Sequence, residues 1–455
     1  MSYDLIIKNG LVITESGDVH ADVAVRSGKI AAIGPDLEGA KEVIDAKGLI
    51  VSPGMVDIHV HITEPGGVRA EWEGYETGTS ACAKGGVTTI VEMPLNQLPA
   101  TTSGESLKTK IAAGEGKLRV DVASFGGLVP YNLENGGIAE QAEMGVVAYK
   151  CFMGTCGDPT LKGDFANVDD YALWEGMRQI AKTGKILAIH AENAPITDML
   201  GKLAKERGET KVSQYVATRP VFTEVEPIRR AIYFAKQTGC RIHICHIACP
   251  EGVEEVIKAR AEGVDVTCET CIHYLYLTTD ELDAIGAAAK CSPPIRDKAA
   301  QDGLWKYLIA GHILTAVSDH SPCTFDLKDK PNAFDAWGGI SAVQNNIDLF
   351  FDEAVQKRGM PLKLFADIIA KNPADRFDLP TKGSISVGKD ADFVLIKPKS
   401  SYTLKADDLE YRNKFSAYVG RTINAQVARA IVRGTTVYAL GEGVAKKPVG
   451  KFILR

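Results

Sequence analysis

Val56-Asp57-Ile58-His59-Val60-His61 decides how the rest of the chain is read. Side chains of a strand alternate between its faces, so histidines two apart point the same way and deliver two imidazoles into one cavity. The stretch follows Leu49-Ile50-Val51-Ser52-Pro53-Gly54, an apolar run closed by turn residues, which places the pair at the C-terminal end of a buried strand. Active sites of parallel α/β folds collect at such ends. Two histidines at this spacing also arise by chance, and only ligand-type residues at other strand ends separate the two readings.

Outward from this stretch, eight segments have strand character: 56–61, 87–92, 119–125, 146–152, 186–191, 241–247, 264–270 and 313–319. The spacers are long enough for helices and amphipathic in places, as from Val168 to Lys182, Glu224 to Gln237 and Glu251 to Ala261. Eight such units in a row predict an α/β fold, a (β/α)8 TIM barrel, although periodicity alone also allows an open doubly wound sheet. The two chain ends read differently. Short alternating segments such as Ala21-Asp22-Val23-Ala24-Val25 and Lys29-Ile30-Ala31-Ala32-Ile33 are broken by Asn9-Gly10, Ser27-Gly28 and Gly34-Pro35, and the same texture returns after about residue 380. The expected organisation is a small β-sandwich domain built from both ends, residues 1–53 and 375–455, around a barrel over 54–374.

With 455 residues the chain exceeds the usual single-domain range, and its 45% hydrophobic and 24% charged fractions are those of a globular protein. No apolar run approaches the roughly 20 residues that span a bilayer, so no membrane association is expected. A net charge of −6 without any basic run argues against a nucleic-acid partner. Met1-Ser2-Tyr3-Asp4 runs straight into Leu5-Ile6-Ile7 without a basic leader, which makes the cytoplasm the expected compartment. The ten cysteines then read as reduced thiols, and Cys268-Glu269-Thr270-Cys271 as small buried groups, since no second Cys-x-x-Cys accompanies it.

The strand ends carry the unusual polar residues. Val146-Val147-Ala148-Tyr149 ends in Lys150, and a buried lysine needs either a carboxylate partner or neutrality. A neutral amine adds carbon dioxide to become a carbamate, whose two oxygens bridge cations as a carboxylate does. Ile186-Leu187-Ala188-Ile189 ends in His190, and the sixth strand offers His243 and His246, which alternation puts on opposite faces. His246, last and of the same parity as Ile242 and Ile244, is the expected ligand, with His243 on the outer face or behind the site. Asp319 shares parity with Val317 and is preferred to its neighbour His320. His59, His61, Lys150, His190, His246 and Asp319 together suit two divalent cations of the zinc, manganese, cobalt or iron type. Such a pair activates water for hydrolysis without a protein nucleophile, with Asp319 as the proton carrier.

The motifs Pro53–His61, Trp72–Gly78, Glu92–Asn96, Lys150-Cys151-Phe152, His190–Asn193, Cys291–Arg296, Ser318–Pro322 and Ala336–Gly339 resemble those of the amidohydrolase superfamily, in its group of cyclic-amide hydrolases that includes hydantoinases and dihydroorotases. The resemblance covers essentially the whole chain. It implies a binuclear centre, zinc in the first instance, with Lys150 modified to N6-carboxylysine and the other five residues as ligands. Dihydroorotases place an arginine where Thr63 stands, and hydantoinases carry a tyrosine shortly after the modified lysine, where this chain reads Met153-Gly154-Thr155-Cys156. Those two departures imply allantoin, opened to allantoate, as the small-molecule substrate, with Thr155 and the backbone around Ser292 and Gly338 holding the ureide ring. Hydrolysis of other cyclic ureides, or a scaffold without catalysis, are the alternatives. A homotetramer is implied by the same resemblance.

Overall fold

The computed structural model describes residues 2–455. Five strands open the chain: β1 (Tyr3–Thr14), β2 (Gly17–Arg26), β3 (Lys29–Gly34), β4 (Ala40–Asp45) and β5 (Ile50–Pro53). Eight follow at longer intervals: β6 (Met55–Val60), β7 (Val87–Glu92), β8 (Asp121–Gly127), β9 (Ala148–Phe152), β10 (Ile186–His190), β11 (Arg241–Ile244), β12 (Val266–Cys271) and β13 (Thr315–Val317). The last five are β14 (Phe393–Thr403), β15 (Thr422–Val432), β16 (Thr435–Ala439), β17 (Gly443–Val444) and β18 (Phe452–Ile453).

Strands β6 to β13 pair in sequence order and in parallel. The ring closes through a parallel bridge between Val60 and His320, where the His61 N–H donates to the His320 carbonyl at 2.8 Å. The expected (β/α)8 barrel is therefore present. Its spacers are helices with the ends their sequences call for. Asp169 caps helix Asp170–Thr183 by accepting from the Ala172 N–H, and Gly184 closes it with a left-handed backbone at φ 71°. That helix buries Ala172, Leu173, Gly176, Met177 and Ile180, one stripe at helical spacing. A Cβ on Gly176 would come within 2.3 Å of Leu128, so only glycine lets the helix lie this close to the barrel.

The chain ends build one nine-stranded sheet in the order β17-β16-β15-β14-β5-β1-β2-β3, with β4 beside β1. It has an apolar core of its own, in which Leu5, Val12, Val23 and Ile30 from the first end meet Phe393, Leu395 and Ile431 from the other. The chain then leaves this sheet, and β18 pairs in parallel with β8 of the barrel. Where the two sheets meet, Lys382 is buried between Asp121 at 2.6 Å, Asp392 at 2.7 Å and Asp390 at 3.1 Å. No helix among the described residues is long and apolar enough to cross a membrane.

Candidate metal centre

Each imidazole reaches the barrel mouth from a strand end. His59 lies on β6 and His61 just past it, after a bulge between Asp57 and Val60, and their rings stand 5.6 Å apart. Asp319 faces both, its Oδ1 at 3.3 Å from His59 Nε2 and 3.5 Å from His61 Nε2. His190, last on β10, presents Nδ1 to His246 Nε2 at 2.9 Å, and the His246 ring is 5.2 Å from that of His59. Lys150 is fully buried, with Nζ 2.9 Å from Cys245 Sγ and 5.2 Å from the Phe152 ring centroid. Among the described residues no carboxylate comes within ion-pair distance of that amine, so the salt bridge that a buried lysine ordinarily needs is missing.

The structure corrects one step of the parity argument. β11 ends at Ile244, and the residues that reach site groups from it are His243, 3.1 Å from Glu269, and Cys245, beside Lys150. The inward parity is thus that of His243 and Cys245, opposite to Ile242 and Ile244. His246 enters the cavity because the backbone breaks alternation there, with φ at 35°. Asp319, two residues past the end of β13, is turned in the same way, with φ at 43°. His320 does not join the cluster, for its Nδ1 accepts the Ala342 N–H at 3.1 Å.

Two buried carboxylates complete the arrangement, and alternation gave no sign of either. Glu192 Oε2 accepts from His190 Nε2 at 2.8 Å, and its other oxygen accepts from Arg219 at 2.8 Å. Glu269 on β12 accepts from His59 Nδ1, from His243 Nε2 at 3.1 Å and from the His246 backbone N–H at 3.2 Å. A carboxylate taking one ring N–H leaves the opposite nitrogen bare, and in both cases that nitrogen points into the cluster. The available signal was a charge inside an otherwise uncharged strand, Val266–Cys271, and a second acid two residues after His190.

The electrostatics fit a cation. Burial pushes His61 down to about 4 and His246 well below the usual imidazole range, which keeps both in the neutral form that binds metals. Burial also raises the carboxyl of Asp319, but His59 and His61 outweigh it and hold the group below the ordinary carboxylate range. His59 is desolvated too, yet Asp319 and Glu269 on either side raise it to about 10, so positive charge is favoured between them. His61 Nδ1 and His246 Nδ1 are buried without hydrogen-bond partners among the described residues. The ligand atoms of His59, His246 and Asp319 lie within 4.8 Å of one another, as cation binding requires.

The cluster forms the floor of a cavity of about 930 Å3. Thr155, Ser292 and Gly338 all border it. Thr155 Oγ1 donates to Asp198 at 2.6 Å, and Ser292 Oγ lies 2.5 Å from the Tyr215 hydroxyl. Thr63 is buried, with φ at 62°.

A profile described as the amidohydrolase family matches residues 50–437. The chain belongs to that family. Among its relatives, the allantoinase of Enterococcus faecalis is 68% identical over 454 residues and that of Bacillus licheniformis 63%, each aligned over 100% of both chains. The L-hydantoinase (dihydropyrimidinase) from Arthrobacter aurescens superposes with a TM-score of 0.95 at 33% identity, over 100% of both chains. The barrel and its flanking sheet are therefore shared with that structure.

Proposed function

We propose that this protein hydrolyses the cyclic amide of allantoin to give allantoate, with two divalent cations held by His59, His61, Lys150, His190, His246 and Asp319. The observation that carries the reading is the convergence of four imidazoles and one carboxylate at the cavity floor, with a buried lysine that lacks a carboxylate partner on the strand beside that of His190. Full-length identity to relatives named allantoinase supports the choice of substrate. His59 and His61, with Asp319 between them, form one half of the donor set, and His190 with His246 the other. Lys150 adds carbon dioxide at Nζ. A new N–C bond would form, one proton would leave to water, and the resulting carbamate would add two oxygen donors to the set.

When bound, the cations supply Lewis acidity towards the amide carbonyl and acidify the attacking water. Asp319 takes the proton from that water on a carboxylate oxygen and returns it to the departing ring nitrogen, so one group acts as base and then as acid. Glu192 and Glu269 keep His190 and His59 in the tautomers that face the cations. Backbone groups around Ser292 and Gly338, with Thr155 at the rim, hold the ureide, whose alternating N–H and C=O groups pair with main chain. We assign the chemistry to residues 54–374 and support of the barrel to 1–53 with 375–455, in a cytoplasmic homotetramer loaded with zinc, or with manganese, cobalt or iron.

Purified, metal-loaded protein should convert allantoin to allantoate. Faster turnover of dihydrouracil or of 5-substituted hydantoins would replace the substrate, a second reading favoured by the likeness to the L-hydantoinase structure. Less than one equivalent of metal per chain after growth with added metal and bicarbonate would make the protein a scaffold.

A further inference from the structure

Ser292 and Gly338 belong to two irregular segments that meet at the cavity wall, where a Cβ on Gly338 would lie 3.6 Å from Ser292 Oγ. Backbone outside helices and strands makes few ladder bonds of its own, and side chains can supply partners for its carbonyls. We propose that Lys328 and Lys290 are positioning residues that clamp segments 287–292 and 334–338 together, setting the spacing at which both grip the substrate ring; the inference rests on the reading of that grip above.

Lys328 Nζ donates to the carbonyls of Ala287 at 2.9 Å and Lys290 at 3.2 Å on one segment, and of Trp337 at 2.9 Å on the other. Three carbonyls face three N–H bonds, the full capacity of an ammonium. Lys290 belongs to the first segment and reaches across to the second, donating to Phe334 at 3.2 Å and Ala336 at 2.5 Å. Its ammonium also stands 4.6 Å from the centroid of Tyr215, whose hydroxyl meets Ser292 Oγ. Two of the five bonds therefore cross directly from one segment to the other, and the remaining three tie both segments to Lys328, which lies outside them.

Both lysines are buried, and among the described residues neither pairs with a carboxylate. An ammonium in that position is costly, and an apolar chain of similar length would fill the space without the cost. What an apolar chain lacks is the ability to hold several carbonyls at fixed places. Lys290 borders the cavity and Lys328 lies behind it, and neither bonds to a residue of the metal centre, so the bonds act on how the ring is held and not on the bond that breaks. An interaction made equally with substrate and transition state appears in KM and leaves kcat alone.

The test is to compare wild type with Lys328→Met and Lys290→Met, all metal-loaded, on allantoin. Each variant should keep its metal content and a kcat within about threefold of wild type, while KM rises about tenfold or more. The double variant should resemble the worse single one, because both lysines act on one unit. An unchanged KM in both variants, or a fall in kcat that tracks metal loss, overturns the clamp. If Lys328→Met does not fold, Lys290→Met carries the comparison alone. Amide hydrogen exchange without substrate separates this inference from the substrate reading. Segments 287–292 and 334–338 should both exchange faster in the variants by about tenfold, and unchanged exchange overturns the clamp whatever the wild type hydrolyses. A wild type that ignores allantoin but shows the exchange difference would refute the substrate alone.

Discussion

Glu269→Gln replaces one carboxylate oxygen by an amide nitrogen with little change of shape, at a side chain that holds three groups of the centre. The carboxylate accepts from His59 Nδ1, from His243 Nε2 at 3.1 Å and from the His246 backbone at 3.2 Å. A glutamine has one accepting oxygen, so its NH2 must face an imidazole N–H or the backbone N–H. If it faces His59, the ring can keep its contact only by moving its proton to Nε2, the nitrogen aimed at Asp319, and that nitrogen can then no longer bind a cation. If it faces His243, the support beneath His59 loosens instead. Loss of such an outer carboxylate costs about 10–100-fold in metal affinity, equivalent to about 1.4–2.8 kcal/mol. Competition between zinc-loaded protein and a chelator of known affinity measures this directly. Activity at saturating zinc should recover at least in part, since all six proposed ligands remain. A variant with wild-type zinc affinity and wild-type kcat/KM would refute the role assigned to Glu269 and, with it, the tautomer assigned to His59.

Lys150→Ala should lower kcat/KM by at least about a hundredfold, because a ligand matters more than its outer support, and short carboxylic acids added to the assay should restore part of it. Wild-type activity in that variant would remove the carbamate from the mechanism. Lys382→Met leaves Asp121, Asp390 and Asp392 buried without their shared cation; it should cost about 3–5 kcal/mol of stability in denaturant unfolding, with kcat little changed. At the same junction burial raises the carboxyl of Asp390, but Lys382 and Lys29 outweigh it and hold the group down to about 2. Its unfolded value is about 3.9, so the stabilisation is complete above that pH and is lost as pH falls through about 2. Asp390→Asn should flatten acid unfolding over that window, and an unaltered profile would show that other acids set it.

The family resemblance and the relatives agree on the reaction, yet the geometry adds what similarity leaves open, namely why two of the four imidazoles present the nitrogen they do. His59 and His190 are oriented by acids on β12 and just past β10, and the clamp on the cavity wall depends on ammonium groups with no partner charge.

Much of the fold is nonetheless readable in the sequence. Apolar runs punctuated by glycine and proline mark β6 to β13, because strand formation and turn chemistry depend on near neighbours along the chain. A histidine, lysine or aspartate at the end of such a run stands out against its own segment, and so the six proposed donors could be named from the sequence. The tertiary structure alone decided the rest. Glu269 meets His59 across a separation of 210 residues, and the contact exists only once the barrel has closed. His246 and Asp319 reach the cavity through left-handed backbone that the alternation rule does not contain, so the parity argument reached His246 by the wrong step. The salt bridge that Lys150 lacks, and the carbonyls that Lys290 and Lys328 hold, are facts about what surrounds a side chain in space. Local pattern records which face a residue prefers; only packing determines what waits for it there.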